Sequence, residues 1–274
     1  VIFDVLATPQ TPWKGRLLLE HVYQGARRHG INCRLVNGGA IRDDAWLILY
    51  GLGAPERIGY ATRDRLIAFD AGYWNRKLAP DRRSYRVSVN GFHCPEAIAR
   101  VPCAGPERWA SSGLTCALSG GNASGPILLA GNGPKTSRAI APGWTAAKSR
   151  EIRRIFNGRK ILYRPKPKRP VEGGVDHDGV SSGSIDDAMK GVSLVVCRHS
   201  NVAIDACRAG VPVICDDGAA AAIYPKSLRH GEEQQPSYAQ RIDFLQRLAW
   251  WQWSPIECRD GRFWPWMLDA IAAL

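Results

Sequence analysis

The stretch from Ser184 to Gly218, SIDDAMKGVSLVVCRHSNVAIDACRAGVPVICDDG, constrains the fold more than any other part of the chain. Its two aliphatic runs, Val192–Cys197 and Val211–Cys215, are short, continuous and apolar, which is the pattern of strands buried on both faces. Between them Asn201–Ala209 has helical spacing, with Ser200 or Asn201 as a natural N-cap. A strand, a helix and a strand in so few residues rejoin one sheet as a right-handed parallel crossover. The same alternation is found upstream, with strands at Pro126–Ala130 and Lys160–Tyr163, a helix at Gly143–Phe156 and a short helix at Ile185–Lys190. Four short strands alternating with helices predict a doubly wound parallel sheet.

The first part of the chain has its own alternation. Residues 1–6 (VIFDVL) predict a strand. Arg16–His29 predicts a helix, since Leu17, Leu18, His21, Val22 and Ala26 recur at helical spacing and Gly30 is a good stop. Ile31–Val36, Ala45–Tyr50, Arg65–Phe69 and Tyr85–Val89 predict further strands. Residues 103–125 are rich in Gly, Ser and Ala without a sustained period and read as a linker. The tail, Ser237–Trp253 and then Phe263–Leu274, reads as helical and carries five of the ten tryptophans. So many aromatics in one place bury against something, as a helix pair packed on the domains or else as a stacking platform for bases.

With 274 residues and 45% hydrophobic content the chain can bury a sizeable core without disulfide staples. No run approaches the roughly 18 apolar residues of a membrane span, and the opening residues lack the pattern of a secretory leader, so the expectation is a soluble, cytoplasmic protein. The eight cysteines never occur as CxxC, and several lie inside apolar runs, which predicts reduced, mostly buried thiols and no structural zinc. A net charge of +12, spread over both halves, suits an anionic partner as well as it suits a merely solvated basic surface. No exposed heptad pattern makes a case for assembly, so a monomer is expected.

Two segments of the second half point to chemistry. In LLAGNGPKTS a strand opens into Gly131-Asn132-Gly133, where Gly131 and Gly133 let the backbone approach a ligand closely, and into Lys135, Thr136 and Ser137, which could donate to phosphate oxygens. The segment is neither a Walker A loop nor GxGxxG, and an ordinary strand-to-helix turn explains it equally well. The second is Arg198-His199-Ser200-Asn201, where the strand ends and the positive end of a helix points beyond the sheet's carboxyl edge. Asp205, one turn on, would reach ribose hydroxyls or else lie on the helix surface.

The segment Ser184–Asp217, with its strand, Ser/Asn helix start, helix acid and AGVPVI strand, resembles the donor-binding half of GT-B glycosyltransferases and of the related nucleotide-sugar 2-epimerases. The resemblance covers residues 126–274. It implies an α/β fold of two Rossmann-like domains facing a cleft, an acceptor-side domain over 1–120, a nucleotide-sugar domain over 121–250, and a C-terminal segment, 251–274, that crosses back to the first domain. It further implies that GNGPKTS lies near the donor diphosphate, Arg164 and Lys166 near the nucleotide, Arg198 and His199 at the donor, Ser200 and Asn201 at phosphate, and Asp205 at ribose. The aspartate stands where many members carry glutamate, and the EX7E pattern of retaining enzymes is absent.

In the first half, RLIAFDAGYWNR places Asp70 after a strand, at the sheet edge where glycosyl transfer needs a base for the acceptor hydroxyl. Asp4 is a second candidate base. The D-x-G-Y and R-V-S-V-N-G-F-H segments resemble a group of phage-encoded GT-B-like proteins, and on that resemblance Tyr73, Arg76, Asn90 and His93 line the acceptor or sugar pocket. Strand-end capping and surface solvation are the alternative roles for each. His93, His177 and His199 with Asp176 or Asp178 match no metal-ligand spacing, so no metal site is expected and no cofactor beyond the nucleotide-sugar co-substrate. The Gly/Ser-rich stretch 171–184 is expected to be a mobile loop over the donor.

The function so implied is transfer of a sugar, from a UDP-sugar by preference, to a hydroxyl. Phage enzymes of this architecture glycosylate hydroxymethylpyrimidines in double-stranded DNA, and Arg76, Lys77, Arg82, Arg83 and Arg86 would neutralise its phosphates or else form an exposed, solvated loop. The alternatives are a glycosyltransferase of lipid-linked or surface polysaccharide, an epimerase, and a catalytically silent DNA-binding module.

Overall fold

A computed structural model describes residues 1–54, 56–133, 141–166, 172–229 and 231–274. The chain divides into two compact α/β units, the first made of Val1–Arg108 and Gln246–Leu274, the second of Trp109–Leu245. The C-terminal helices therefore return to the first unit, as the resemblance implies.

Unit 1 is built on a six-stranded sheet in the order β11-β5-β4-β3-β1-β2. The strands β1 (Phe3–Leu6), β2 (Cys33–Val36), β3 (Trp46–Tyr50) and β4 (Leu66–Ala71) are parallel. The next, β5 (Tyr85–Val89), turns antiparallel to β4, and β11 (Gln252–Trp253) is antiparallel to β5. Burial explains why the sequence marks them: β1 and the centre of β3 are wholly buried, so every position is apolar except Asp4.

Helix α1 (Trp13–Arg28) buries Gly15, Leu18, Leu19, Val22, Gly25 and Ala26 along one stripe. It starts three residues before the apolar period does, because Pro12 at the N-cap and Gly15 are turn residues by composition but fit a first helical turn. Gly15 is a close-approach residue: a Cβ there would sit 2.3 Å from the Tyr50 ring. Gly25 plays the same part against α8 (Pro255–Arg259), where a Cβ would meet the Cys258 carbonyl oxygen at 1.9 Å.

The tail differs from the expected pair of helices. One helix, α7 (Tyr238–Trp250), ends before Gln252 and Trp253, which leave it to pair with Arg86 and Tyr85. The expected helix over Ser237–Trp253 is thus too long, and α8 and α9 (Phe263–Ala272) follow the strand. Trp251, Trp253, Trp264 and Trp266 are buried, in edge-on and tilted contact with one another and with Phe263, while Trp264 packs on Phe3 and donates to the Val22 carbonyl. These four indoles are core of unit 1, with no ring face left for stacking a base.

Arg108 locks this corner. Its guanidinium lies 3.9 Å from the Trp253 ring centre and donates to the carbonyls of Ala249 (3.1 Å) and Gln252 (2.7 Å) and to Glu257 (2.7 Å). Burial would raise the Glu257 pKa, but its bonds to Arg108 and Ser254 keep it below the usual range. Arg108→Ala is expected to lower the unfolding free energy by about 3 kcal/mol, and Arg108→Lys by less, because a lysine keeps the charge and loses the planar fork. Urea unfolding curves decide it; a loss under about 1 kcal/mol for the alanine variant would mean that the corner packs without the arginine.

Unit 2 carries a five-stranded, wholly parallel sheet in the order β10-β9-β6-β7-β8. Its strands are β6 (Ile127–Ala130), β7 (Ile161–Arg164), β8 (Gly179–Val180), β9 (Leu194–Cys197) and β10 (Val213–Cys215). The helices between them are α4 (Trp144–Ile155), α5 (Ile185–Gly191) and α6 (Val202–Ala209), while the linker stretch holds α3 (Glu107–Ala110) and α2 (Pro95–Arg100) precedes it.

The stretch expected to be a mobile loop contains β8 instead. Asp178 accepts the Ile161 backbone N–H, and Arg153 binds both Asp176 and Asp178, so these residues are pinned to the edge of the sheet. All eight cysteines are free thiols, five of them buried. No helix among the described residues is long and apolar enough to cross a membrane.

Candidate functional site

The topology of unit 2 places a crevice before any side chain is considered. The chain leaves β6 toward β7 on one side and returns to β9 on the other, so the carboxyl ends of β6 and β9 form the switch point at which parallel sheets bind ligands. Ala130 is level with Arg164 and with Cys197 in the two flanking ladders. The segments that leave these strands, Gly131-Asn132-Gly133, Pro165-Lys166 and Arg198-His199-Ser200-Asn201, therefore meet over one edge.

Each contributes differently. Gly131 is demanded by the protein itself, since a Cβ would stand 2.4 Å from the Tyr163 hydroxyl. Gly133 faces open space. Asn132 is only 7% exposed, and its Nδ2 has no hydrogen-bond acceptor among the described residues. A buried amide left unmade costs about 1–3 kcal/mol, so this group calls for an acceptor beyond the described residues. Lys135, Thr136 and Ser137 lie outside the described residues.

Arg164 does not lie open: it donates to Ser181 Oγ and the Gly183 carbonyl, tying β7 to the loop before α5. Lys166 reaches across the crevice to within 3.4 Å of Ser200 Oγ. Ser200 in turn accepts from the Val202 N–H, while Asn201, at the N-cap, gives α6 no side-chain cap. The positive end of α6 thus faces the crevice.

Arg198 binds Asp217 through Nε (2.8 Å) and Nη2 (2.7 Å), while its largely buried Nη1 is unbonded among the described residues. His199 Nδ1 lies 3.2 Å from the other Asp217 oxygen. Burial would raise the Asp217 pKa, yet His199 and Arg198 hold it below the usual carboxylate range. Its neighbour Asp216 is pushed the other way by burial, against the opposing pull of Lys148 and the Trp144 N–H. Asp205 lies half-buried in the first turn of α6. Ammonium, guanidinium, side-chain amide and helix N–H groups converging on one edge are a set of donors for an oxyanion.

In unit 1 a second cluster forms at the carboxyl end of β4. Asp70 stands opposite Arg86 in the β4–β5 ladder. One carboxylate oxygen accepts the Ala71 N–H (2.7 Å), the other is 3.3 Å from Arg86 Nη2, and half of the side chain is exposed. Arg86 Nη1 lies 2.6 Å from His93 Nδ1; arginine has no acceptor, so this ring nitrogen accepts and the ring proton is on Nε2. The buried Tyr73 hydroxyl also bonds Arg86, and burial raises its pKa above the usual phenol value. Asp70, Tyr73 and His93 are thus gathered around Arg86, which sequence reasoning assigns to a phosphate-facing cluster instead. The signal for it is positional: an antiparallel return of RVSV onto IAFD sets arginine opposite aspartate.

Two expected pocket residues do not join them. Arg76 is exposed on the following loop. Asn90 turns the chain at the opposite end of β5, at φ +54°, where its Oδ1 and N–H bond Leu66. Asp4, the second candidate base, is buried and clamped by Arg34 and Arg42. Burial would raise its pKa, but those bonds hold it at about 2, so it takes no proton at neutral pH.

No family model and no curated protein sequence matches this chain. Among solved structures it is similar to the beta Kdo 2,7 transferase of KpsC from Thermosulfurimonas dismutans, with a TM-score of 0.53 and 14% identity over 95% of this chain and 98% of that one. It is also similar to the beta Kdo 2,4 transferase of KpsC from the same organism, at TM-score 0.52 and 10% identity over 90% of each chain. At these identities what is shared is the fold.

Proposed function

We propose that the chain is a glycosyltransferase in which unit 2 holds a phosphate-bearing sugar donor and Asp70 of unit 1 takes the proton of the acceptor hydroxyl. The observation that supports the donor site is the buried Nδ2 of Asn132, without an acceptor among the described residues, two residues beyond the strand end where Ala130 is level with Arg164 and Cys197. The fold it shares with two Kdo transferases supports the reaction class. Asp205 would accept from ribose hydroxyls.

The same likeness favours an acidic sugar, and a lipid-linked or surface polysaccharide as acceptor. Several of the described residues expected to meet DNA are engaged elsewhere. Arg86 is committed to Asp70 and Tyr73, Arg83 donates to the Leu78 carbonyl, and four of the five tail tryptophans are core.

The test is a thermal-shift panel of nucleoside mono- and diphosphates and their sugar conjugates, followed by transfer assays on saccharides and on duplex DNA containing hydroxymethylpyrimidine. A donor at about 100 times its Kd stabilises the folded chain by about 2.7 kcal/mol, a rise in Tm of roughly 5–10 °C for a protein of this size. Asn132→Ala is expected to weaken donor binding at least about tenfold. If no member of the panel moves Tm, the glycosyltransferase reading fails; if donors act equally on wild type and variant, the site lies elsewhere.

A further inference from the structure

The carboxyl edge of the unit 1 sheet carries charge and apolar surface that the fold does not use. Strand β4 leaves this edge through the loop WNRKLAPDRR, which is tightly built. Asn75 turns at φ +57°, Arg83 Nη2 donates to the Leu78 carbonyl at 3.2 Å, and the Asp81 carbonyl accepts the Ile256 N–H at the start of α8. That framework points Arg76, Lys77, Leu78 and Arg82 outward, and Leu78 is 46% exposed.

The first turn of α1 is at the same edge, because β1 is parallel to β3 and β3 to β4. Gly15 packs on the Tyr50 ring, Tyr50 meets Tyr85 edge-on, and Tyr85 directly follows the loop. Trp13 is 56% exposed there, with the Lys14 ammonium 5.6 Å from its ring centre. This turn has neither an acidic residue nor a side-chain cap, so the positive helix end adds to Lys14.

We infer that this edge, presented by Trp13, Lys14, Arg76, Lys77, Leu78 and Arg82, docks unit 1 on an anionic membrane surface. Charge complementarity selects a polyanion, and the two apolar side chains select among polyanions. A phosphate backbone needs only the cations, whereas a lipid surface also takes an indole at headgroup level and a leucine at the acyl boundary. The surface belongs to unit 1 and the proposed donor site to unit 2, and the test contains no donor, so either reading can fail without the other.

The experiment is co-sedimentation of the purified full chain with vesicles of phosphatidylcholine alone and with vesicles in which about a third of the lipid is phosphatidylglycerol. Binding is expected to the anionic vesicles only, and to fall as salt rises. At about fivefold in partitioning per cation, reversing two charges in Lys77→Glu/Arg82→Glu should cost at least about 25-fold. Leu78→Ser, at an exposed loop position that leaves the fold intact, should weaken vesicle binding several-fold and leave any binding of duplex DNA unchanged. Equal pelleting with both vesicle types, no pelleting with either, or wild-type binding by both variants overturns the proposal. Duplex DNA bound more tightly than anionic vesicles, and lost in the double variant, overturns it in favour of a nucleic-acid surface.

Discussion

Arg42→Ala is expected to destabilise the protein by about 3–5 kcal/mol, and Asp4→Asn by only about 2, although both break the same cluster. The asymmetry follows from where the charges lie. Asp4 is wholly buried on β1, while the Arg34 and Arg42 side chains are 47% and 32% exposed. Removing the carboxylate leaves two guanidiniums that water can reach. Removing Arg42 deletes two charge-assisted bonds (Nε at 3.0 Å and Nη2 at 2.7 Å) and leaves a buried carboxylate with Arg34 and one backbone N–H. The pH dependence follows the same carboxylate. Its folded pKa, about 2, lies below the unfolded value of 3.8, so the stability it contributes is present above pH 3.8 and is lost as the pH falls through about 2. That contribution is about 2 kcal/mol, and in Asp4→Asn this part of the acid dependence should vanish. Urea unfolding at neutral and acid pH checks both points. Asp4→Asn costing as much as Arg42→Ala would mean that the arginines, rather than the aspartate, carry the burial penalty.

That cluster also shows what sequence reading can and cannot reach in this chain. Strands buried on both faces appear as uninterrupted apolar runs, so β3, β6 and β9 are legible without any neighbour, and with them the parallel sheet of unit 2 and its switch point. Asp4 is legible as a charge inside such a run; its purpose is not, because Arg34 comes from the adjacent strand and Arg42 from the loop beyond it. The strands without a local signal, β8 and β11, are two residues long and exist through their ladder partners β7 and β5. Gln252 illustrates this: its backbone pairs with Arg86, while its side chain accepts the Tyr73 N–H at 2.8 Å, and neither bond leaves a trace in local periodicity. The candidate site divides in the same way. Arg198 and Ser200 follow a strand end that is legible, while Asn132 and Lys166 are assigned to the donor only by the resemblance to GT-B glycosyltransferases. Arg86 depends on an antiparallel register, and Asn90 on a left-handed turn that the sequence VNGF suggests but does not orient.

Asp70→Asn should lower sugar transfer by about 10²–10⁴-fold while leaving the donor-induced thermal shift intact. The two readouts separate because Asp70 belongs to unit 1 and the proposed donor residues to unit 2. Asparagine keeps the shape and still accepts the Ala71 N–H, but it cannot take a proton from a hydroxyl. The remaining Asp70 oxygen is held at 3.3 Å by Arg86, long enough that the bond aims the carboxylate more than it occupies it. Arg86 is itself fixed by Tyr73 and His93, which makes it a positioning residue. Arg86→Lys should therefore lower kcat by about tenfold or more with little change in donor KM, since a lysine cannot span the carboxylate, the phenol and the imidazole at once. His93→Asn, which offers Arg86 a carbonyl oxygen in place of Nδ1, should recover more activity than His93→Ala. If Asp70→Asn transfers within about threefold of wild type, the base is not in unit 1. If it loses the thermal shift together with activity, Asp70 serves donor binding and not proton transfer. A loss of transfer with the thermal shift preserved is the outcome that the half-exposed carboxylate beside a buried guanidinium leads us to expect.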